Sequence, residues 1–317
     1  MEKWIRLLGV MVIVMSLFIV SACDDDDDTS GQESKGPIVV GSKIDTEGAL
    51  LASMIILVLE ENGFDVTDKA QTGTTAIVRA ALESGEIDMY PEYTGNGAFF
   101  FDEADSDVWK DAQAGYDRVA ELDMENYNIV WLEPAPANNT WAVAIPQELA
   151  EAENLASLED FATYANGGGH VKLIGSEEFV TSPAALPSFQ EAYGFTLSSD
   201  QLLTISGGNT ALTEKAAAEG TDGVNAAMAY GTDGQVAALG LVILSDPKGA
   251  QPVYEPAPRV RGEIIAEYPE IAGIINPVFE SLGLETLQAL NAKIAVEGQI
   301  AMDVAEEYLI SAGFLAE

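Results

Sequence analysis

The chain has 317 residues, 48% of them apolar, enough to bury one large core or two ordinary ones. Its 52 acidic residues against 14 basic ones give a formal net charge of −38, which excludes electrostatic capture of nucleic acid or another polyanion. One cysteine and one histidine exclude an internal disulfide and a His-rich or Cys-rich zinc site, and leave a serine triad possible only with His170 as its base.

Lys3 and Arg6 precede an apolar run over 7–20, short for a membrane span, and small residues follow it. This is the pattern of a secretory signal peptide over 1–22. Val20-Ser21-Ala22-Cys23 resembles the lipobox of bacterial lipoproteins. That resemblance implies a diacylated Cys23 as the mature N-terminus, holding the protein to a membrane surface in the periplasm or at the cell exterior. Residues 23–37, with DDDDDTSGQESKGP after the cysteine, read as a solvated acidic tether. The remaining charge suits an acidic coat in a salty exterior, and screening beyond about 10 Å leaves it a weak attractor of cations at range.

From Pro37 a regular alternation begins. A strand over 38–40 leads to a helix over 46–62 closed by Gly63; a strand over 64–66 leads past Thr72-Gly73-Thr74-Thr75 to a helix over 76–84 closed by Gly85. With a third strand over 87–90, this predicts a parallel α/β sheet. In Tyr90-Pro91-Glu92-Tyr93-Thr94-Gly95-Asn96, Pro91 and Gly95 are expected to turn the chain so that Tyr93 and Asn96 face a cleft, with Tyr90 packed behind. Phe99, Phe100 and Phe101 are expected to be buried. A second set follows: strand 141–145, helix 158–165, strand 171–174, helices 184–193 and 210–219, and strand 223–230. After Asp246 the chain turns proline-rich, then helical over 270–281, 284–296 and 300–312. Two α/β lobes joined near 138 and 245 fit this order, with a ligand cleft between them at the carboxyl ends of the strands.

Catalytic chemistry is poorly supplied, and no catalytic residue, metal or cofactor is assigned. His170, beside Gly167-Gly168-Gly169, reads as part of a surface turn, and no serine lies in a G-x-S-x-G elbow. Among so many carboxylates no local spacing picks out a glycosidase-like pair. Thr72 to Thr75 fits either an anion site at a helix N-terminus or plain threonine capping. The aromatic residues say more. Tyr93, Trp141, Tyr230 and Tyr254 each stand beside turn-forming residues at a strand end. Converging rings suit a quaternary ammonium, which has no N–H to donate and is held by ring quadrupoles at roughly 0.5–2 kcal/mol each. Another small solute, such as an amino acid or polyamine, a tethered carboxylate hydrolase, and a purely structural surface lipoprotein are the alternatives.

Several segments together resemble the substrate-binding proteins of osmoprotectant ABC transporters, which capture glycine betaine, choline and related compounds. They are Val40-Gly41-Ser42-Lys43, Gly85-Glu86-Ile87-Asp88, Tyr90-Pro91-Glu92-Tyr93-Thr94-Gly95, Asn138-Asn139-Thr140-Trp141-Ala142 and Tyr230-Gly231-Thr232-Asp233-Gly234. Gly207-Gly208-Asn209-Thr210 and the run Val224 to Tyr230 look most like the branch weak for glycine betaine. The resemblance implies a two-lobed periplasmic binding protein of type II with two crossovers: lobe 1 over 38–138 plus 246–317, lobe 2 over 139–245. It implies an aromatic box of Tyr93, Trp141, Tyr230 and Tyr254, with Lys43, Asn96 and Asn139 orienting the ligand, and an ABC permease as partner. Trp141 stands where relatives carry tyrosine. Thr181 and Ser182 stand where relatives often supply an arginine for the betaine carboxylate, which implies weak glycine betaine binding or a ligand lacking that group.

Overall fold

The computed structural model describes residues 34–206 and 210–316. The signal segment, Cys23, the tether up to residue 33 and the run 207–209 lie outside the described residues. Among the described residues ten strands carry the architecture: β1 (Lys35–Lys43), β2 (Phe64–Gly73), β3 (Met89–Tyr93), β4 (Ile129–Trp131), β5 (Trp141–Pro146), β6 (Leu173–Ser176), β7 (Leu202–Ile205), β8 (Ala226–Tyr230), β9 (Leu241–Ile243) and β10 (Pro256–Arg261). They form two five-stranded sheets, ordered β2-β1-β3-β10-β4 and β7-β6-β8-β5-β9. The chain passes from the first sheet to the second between β4 and β5 and returns between β9 and β10, so the fold is two-lobed α/β with two crossovers.

Helix α1 (Thr46–Glu61) follows β1 directly. Asp45 caps it, accepting from the Gly48 N–H at 2.7 Å, and Gly63 leaves it at φ +81°. Its apolar residues face nearly all round the axis because it is enclosed by the sheet and by the helices Glu270–Glu280, Leu284–Ala295 and Ala301–Ala312. Leu50, Leu51, Met54, Ile55 and Leu59 are its fully buried share of the larger core. A second core, including Val143, Leu173, Phe179, Phe189 and Met228, lies against the second sheet.

Four differences from the sequence reading have physical causes. β1 starts at Lys35 rather than Ile38, because Lys35 pairs with Phe64 of β2 and its N–H reaches the Gly63 carbonyl at 3.0 Å. The first sheet is mixed, since β10 runs antiparallel between β3 and β4. That strand hid inside a proline-rich run, and Pro91, expected to turn the chain, lies within β3 opposite Pro258. The Pro258 carbonyl accepts from the Leu132 N–H, so its polar edge faces β4, and the facing prolines occupy a position that needs no bond between β3 and β10. Lastly, the helix Ala112–Tyr127 has only Gly115, Val119 and Asp123 buried, too sparse an apolar stripe to be read as a period.

Asp123 anchors a buried charge cluster behind the first sheet. It accepts from Arg79 Nη2 at 3.1 Å and Trp131 Nε1 at 2.6 Å, and pairs with Arg259 Nη2 at 2.8 Å. Both Asp123 and Arg259 are shut off from water. Removing the anion strands a buried guanidinium, so Asp123→Ala is expected to cost about 3–5 kcal/mol, read as a lower urea midpoint at an unchanged slope.

Candidate functional site

A cavity of about 760 Å³ opens between the two sheets. It is lined by the end of β1, the first turn of α1, the end of β3, both crossovers and the ends of β5 and β8. All seven residues expected from the sequence line it: Lys43, Tyr93, Asn96, Asn139, Trp141, Tyr230 and Tyr254.

Trp141 and Tyr230 face each other across the antiparallel β5–β8 pair, which fixes their spacing. Their rings are 18° from parallel with centroids 6.5 Å apart, and Trp141 Nε1 donates to the Tyr230 hydroxyl at 3.1 Å. Tyr254 comes from the returning crossover. Its N–H donates to Asn138 Oδ1 at 2.8 Å and its carbonyl accepts from the Asn139 N–H at 2.9 Å, so the two crossovers are tied to each other beside the cavity. Two glycines permit this closeness: a Cβ at Gly95 would lie 2.8 Å from the Tyr254 ring, and one at Gly231 only 2.1 Å from the Asn138 carbonyl oxygen.

Tyr93 ends β3 and is nearly enclosed. Its hydroxyl donates to Glu47 Oε1 at 2.7 Å, and the Lys43 ammonium lies 3.9 Å from its ring centroid. The same ammonium donates to Glu92 Oε1 at 3.1 Å. Glu92 is fully buried and also accepts from the Tyr93 N–H at 2.8 Å, Asn96 Nδ2 at 2.8 Å and the Tyr90 hydroxyl at 3.1 Å. Burial pushes its carboxyl up, but Lys43, Arg259 and these donors together hold it below the usual carboxylate range. Glu47 is buried as well and, among the described residues, is in no ion pair. It accepts from Tyr93, from Asn139 Nδ2 at 3.1 Å and from Asn291 Nδ2 at 2.6 Å, and burial outweighs these bonds and raises its pKa.

Glu47, Glu92 and Asn291 were not singled out from the sequence. Glu47 looks like an ordinary acidic residue in a first helical turn, and Asn291 stands 244 residues away from it in the chain. Glu92 had a signal, a carboxylate between two aromatic residues at a strand end. The run Phe99 to Phe101 departs from expectation: Phe99 is half exposed, Phe100 and Phe101 are only partly buried, and Phe99 and Phe100 both line the cavity. Tyr90 is fully buried as expected, but under Arg259, whose Nη1 donates to its hydroxyl at 2.6 Å. Thr74 occupies the N-cap of α2 (Thr75–Ser84) without a side-chain cap bond, and Thr75 lines the cavity. His170 is exposed, with Nε2 3.0 Å from the Gly223 carbonyl. Within the stretch 178–183 it is Glu178 that lines the cavity.

Residues 36–311 match the family described as the substrate binding domain of ABC-type glycine betaine transport systems. The chain belongs to this family. It is 56% identical over 282 residues to the glycine betaine-binding protein YehZ of Escherichia coli (strain K12), covering 89% of this chain and 92% of that relative. A glycine-betaine-binding protein of Pseudomonas aeruginosa is 34% identical over 278 residues, covering 85% and 86%. The solved apo structure of YehZ superposes with a TM-score of 0.80 over 89% of this chain and all of that one. Lactococcal OpuAC, closed on glycine betaine, shares the fold alone, at 14% identity and a TM-score of 0.55 over 88% and 97%. The chain is thus an extracytoplasmic substrate-binding protein of a glycine betaine-type ABC transporter, with the type II binding-protein fold, and not an enzyme.

In this binding protein two further carboxylates meet where the turn after β8 packs against the helix Thr210–Glu219. Asp233 Oδ2 accepts from the Tyr230 N–H at 2.6 Å, and fully buried Glu214 stands against it. Burial, then repulsion from Asp233, pushes the Glu214 carboxyl up to about 10, so it holds a proton at neutral pH. The unfolded chain releases that proton near 4.5. The folded state therefore binds more protons across this window, and stability falls as pH rises through it. Thermal or urea unfolding between pH 5 and 9 is expected to show this decline, with Glu214 contributing a slope of up to about 1.4 kcal/mol per pH unit, flattened in Glu214→Gln.

Proposed function

We propose that the protein is a lipoprotein, anchored through Cys23, that binds a quaternary ammonium osmolyte between Tyr93, Trp141, Tyr230 and Tyr254 and delivers it to an ABC permease for uptake. The observation that carries this reading is the convergence of four aromatic residues, from four separated segments, on one cavity. Lobe 1 is taken as 38–138 plus 246–317 and lobe 2 as 139–245, each holding one sheet; closing them around the ligand would exclude water and strengthen each cation–ring contact. Lys43, Asn96 and Asn139 orient the ligand from the rim of the box. The relatives from Escherichia coli and Pseudomonas aeruginosa, both glycine betaine-binding proteins, support the ligand class. A weak affinity for glycine betaine itself follows from the lining, which among the described residues offers no arginine to its carboxylate. Such a charge-assisted pair is worth on the order of 1.5–3 kcal/mol, about ten- to a hundredfold in affinity.

Calorimetry with glycine betaine, choline, proline betaine and carnitine tests the reading. At least one is expected to bind, and Tyr230→Ala is expected to weaken it about two- to thirtyfold, the loss of one cation–ring contact. No binding of any of them at millimolar concentration defeats it. Among the described residues no helix is long and apolar enough to cross a membrane. On the lipoprotein reading attachment rests on Cys23, and Cys23→Ser is expected to move the protein from the membrane fraction to the soluble one.

A further inference from the structure

The cavity is unevenly charged, and the imbalance bears on which quaternary ammonium it accepts. Lys43 is the one basic side chain lining it among the described residues, and its ammonium is already engaged by Glu92 at 3.1 Å and by the Tyr93 ring at 3.9 Å. Asp45 and Glu178 line it from opposite sheets, both exposed, and among the described residues neither forms an ion pair. Burial chiefly raises the phenol pKa values of Tyr230 and Tyr254, and the Glu178 charge adds to the rise at both, which puts that carboxylate within electrostatic reach of two rings of the box. The helix N-termini that reach the cavity at Thr75 and Thr210 offset this only with partial charges, about half a unit each.

Resting on the quaternary-ammonium reading above, we propose that Glu178, assisted by Asp45, makes the cavity select a ligand of net positive charge without an anionic group, choline-like in chemistry, over a zwitterion. The tail of a ligand whose trimethylammonium head sits in the box shares the cavity with these carboxylates. A hydroxyl tail is tolerated there, whereas a carboxylate tail meets like charge and no free cation. Glu178 is the specificity-determining residue, since Asp45 is committed to capping α1.

The test is calorimetric titration of the mature chain and of its Glu178→Gln, Glu178→Arg and Tyr230→Ala variants with choline and with glycine betaine, at low and at high sodium chloride. Glu178 is exposed, so thermal unfolding of its variants is expected to match the parent. The parent is expected to bind choline about tenfold or more tightly than glycine betaine, with the margin shrinking in high salt. Glu178→Gln is expected to narrow the margin, and Glu178→Arg to weaken choline by about tenfold while tightening glycine betaine. A parent that prefers glycine betaine, or a preference that Glu178→Arg leaves unchanged, overturns the proposal. If binding in those cases is still weakened in Tyr230→Ala, the aromatic reading stands without it. If the parent binds neither ligand, the aromatic reading falls and takes this one with it.

Discussion

Glu92 is a carboxylate cut off from water, and most of the first wall of the cavity is arranged around that fact. An ionised carboxylate buried without partners costs several kcal/mol, so its neighbours are constrained to answer it. Lys43 from β1, Asn96 from the turn after β3, the Tyr93 N–H and the Tyr90 hydroxyl all do so. Behind Tyr90 the same logic repeats through Arg259 to Asp123 and on to Arg79, so the positions of Lys43 and Asn96 are set from within the protein. A lysine held in this way is a weak partner for an incoming anion, because its charge is already answered at short range.

Glu47 plays a different part with the same chemistry. It stands in the first turn of α1, yet its partners come from β3, the first crossover and the helix Leu284–Ala295. Asn291 shares its amide between Glu47 and the Thr232 carbonyl at 3.0 Å, and Gln288 reaches the Gly231 carbonyl at 2.8 Å. The turn that presents Tyr230 is therefore docked on a helix of the other sheet. At Gly234 the approach is so close that a Cβ would lie 2.1 Å from the Ala292 nitrogen. Ring placement in the second half of the molecule thus depends on polar contacts made by the first.

Much of this was legible in the sequence, and unevenly so. Elements that bury a clear apolar stripe or end in a glycine, such as α1, α2 and the helix Thr210–Glu219, could be read to within a residue or two. The four rings of the box were legible because aromatic side chains beside turn residues at strand ends have few structural duties, whereas Lys43, Asn96 and Asn139 were legible only through the family resemblance. β10 was not, because prolines argue against a strand until it is known that Pro91 and Pro258 face each other at a position that needs no bond between β3 and β10. Nor were Asp123 and Arg259: a charged residue in a sequence reads as solvated surface, and only its partner, 136 positions away here, makes burial tolerable. Phe99 to Phe101 show the converse: an apolar run reads as core, yet two of its rings, Phe99 and Phe100, open on the cavity.

The two sheets also differ in how the chain reaches them. Every strand of the second comes from one uninterrupted stretch, from Trp141 of β5 to Ile243 of β9. The first must join Met89–Tyr93 to Pro256–Arg261, strands separated by the whole of the other sheet. Pairings that distant carry a larger loop-closure entropy and form late. On a ribosome, where the N-terminal part emerges first, the half of the molecule that begins the chain is the half that waits. Its β3 edge, with Tyr93 at the tip, has no β10 to pair with until residue 261 has been made.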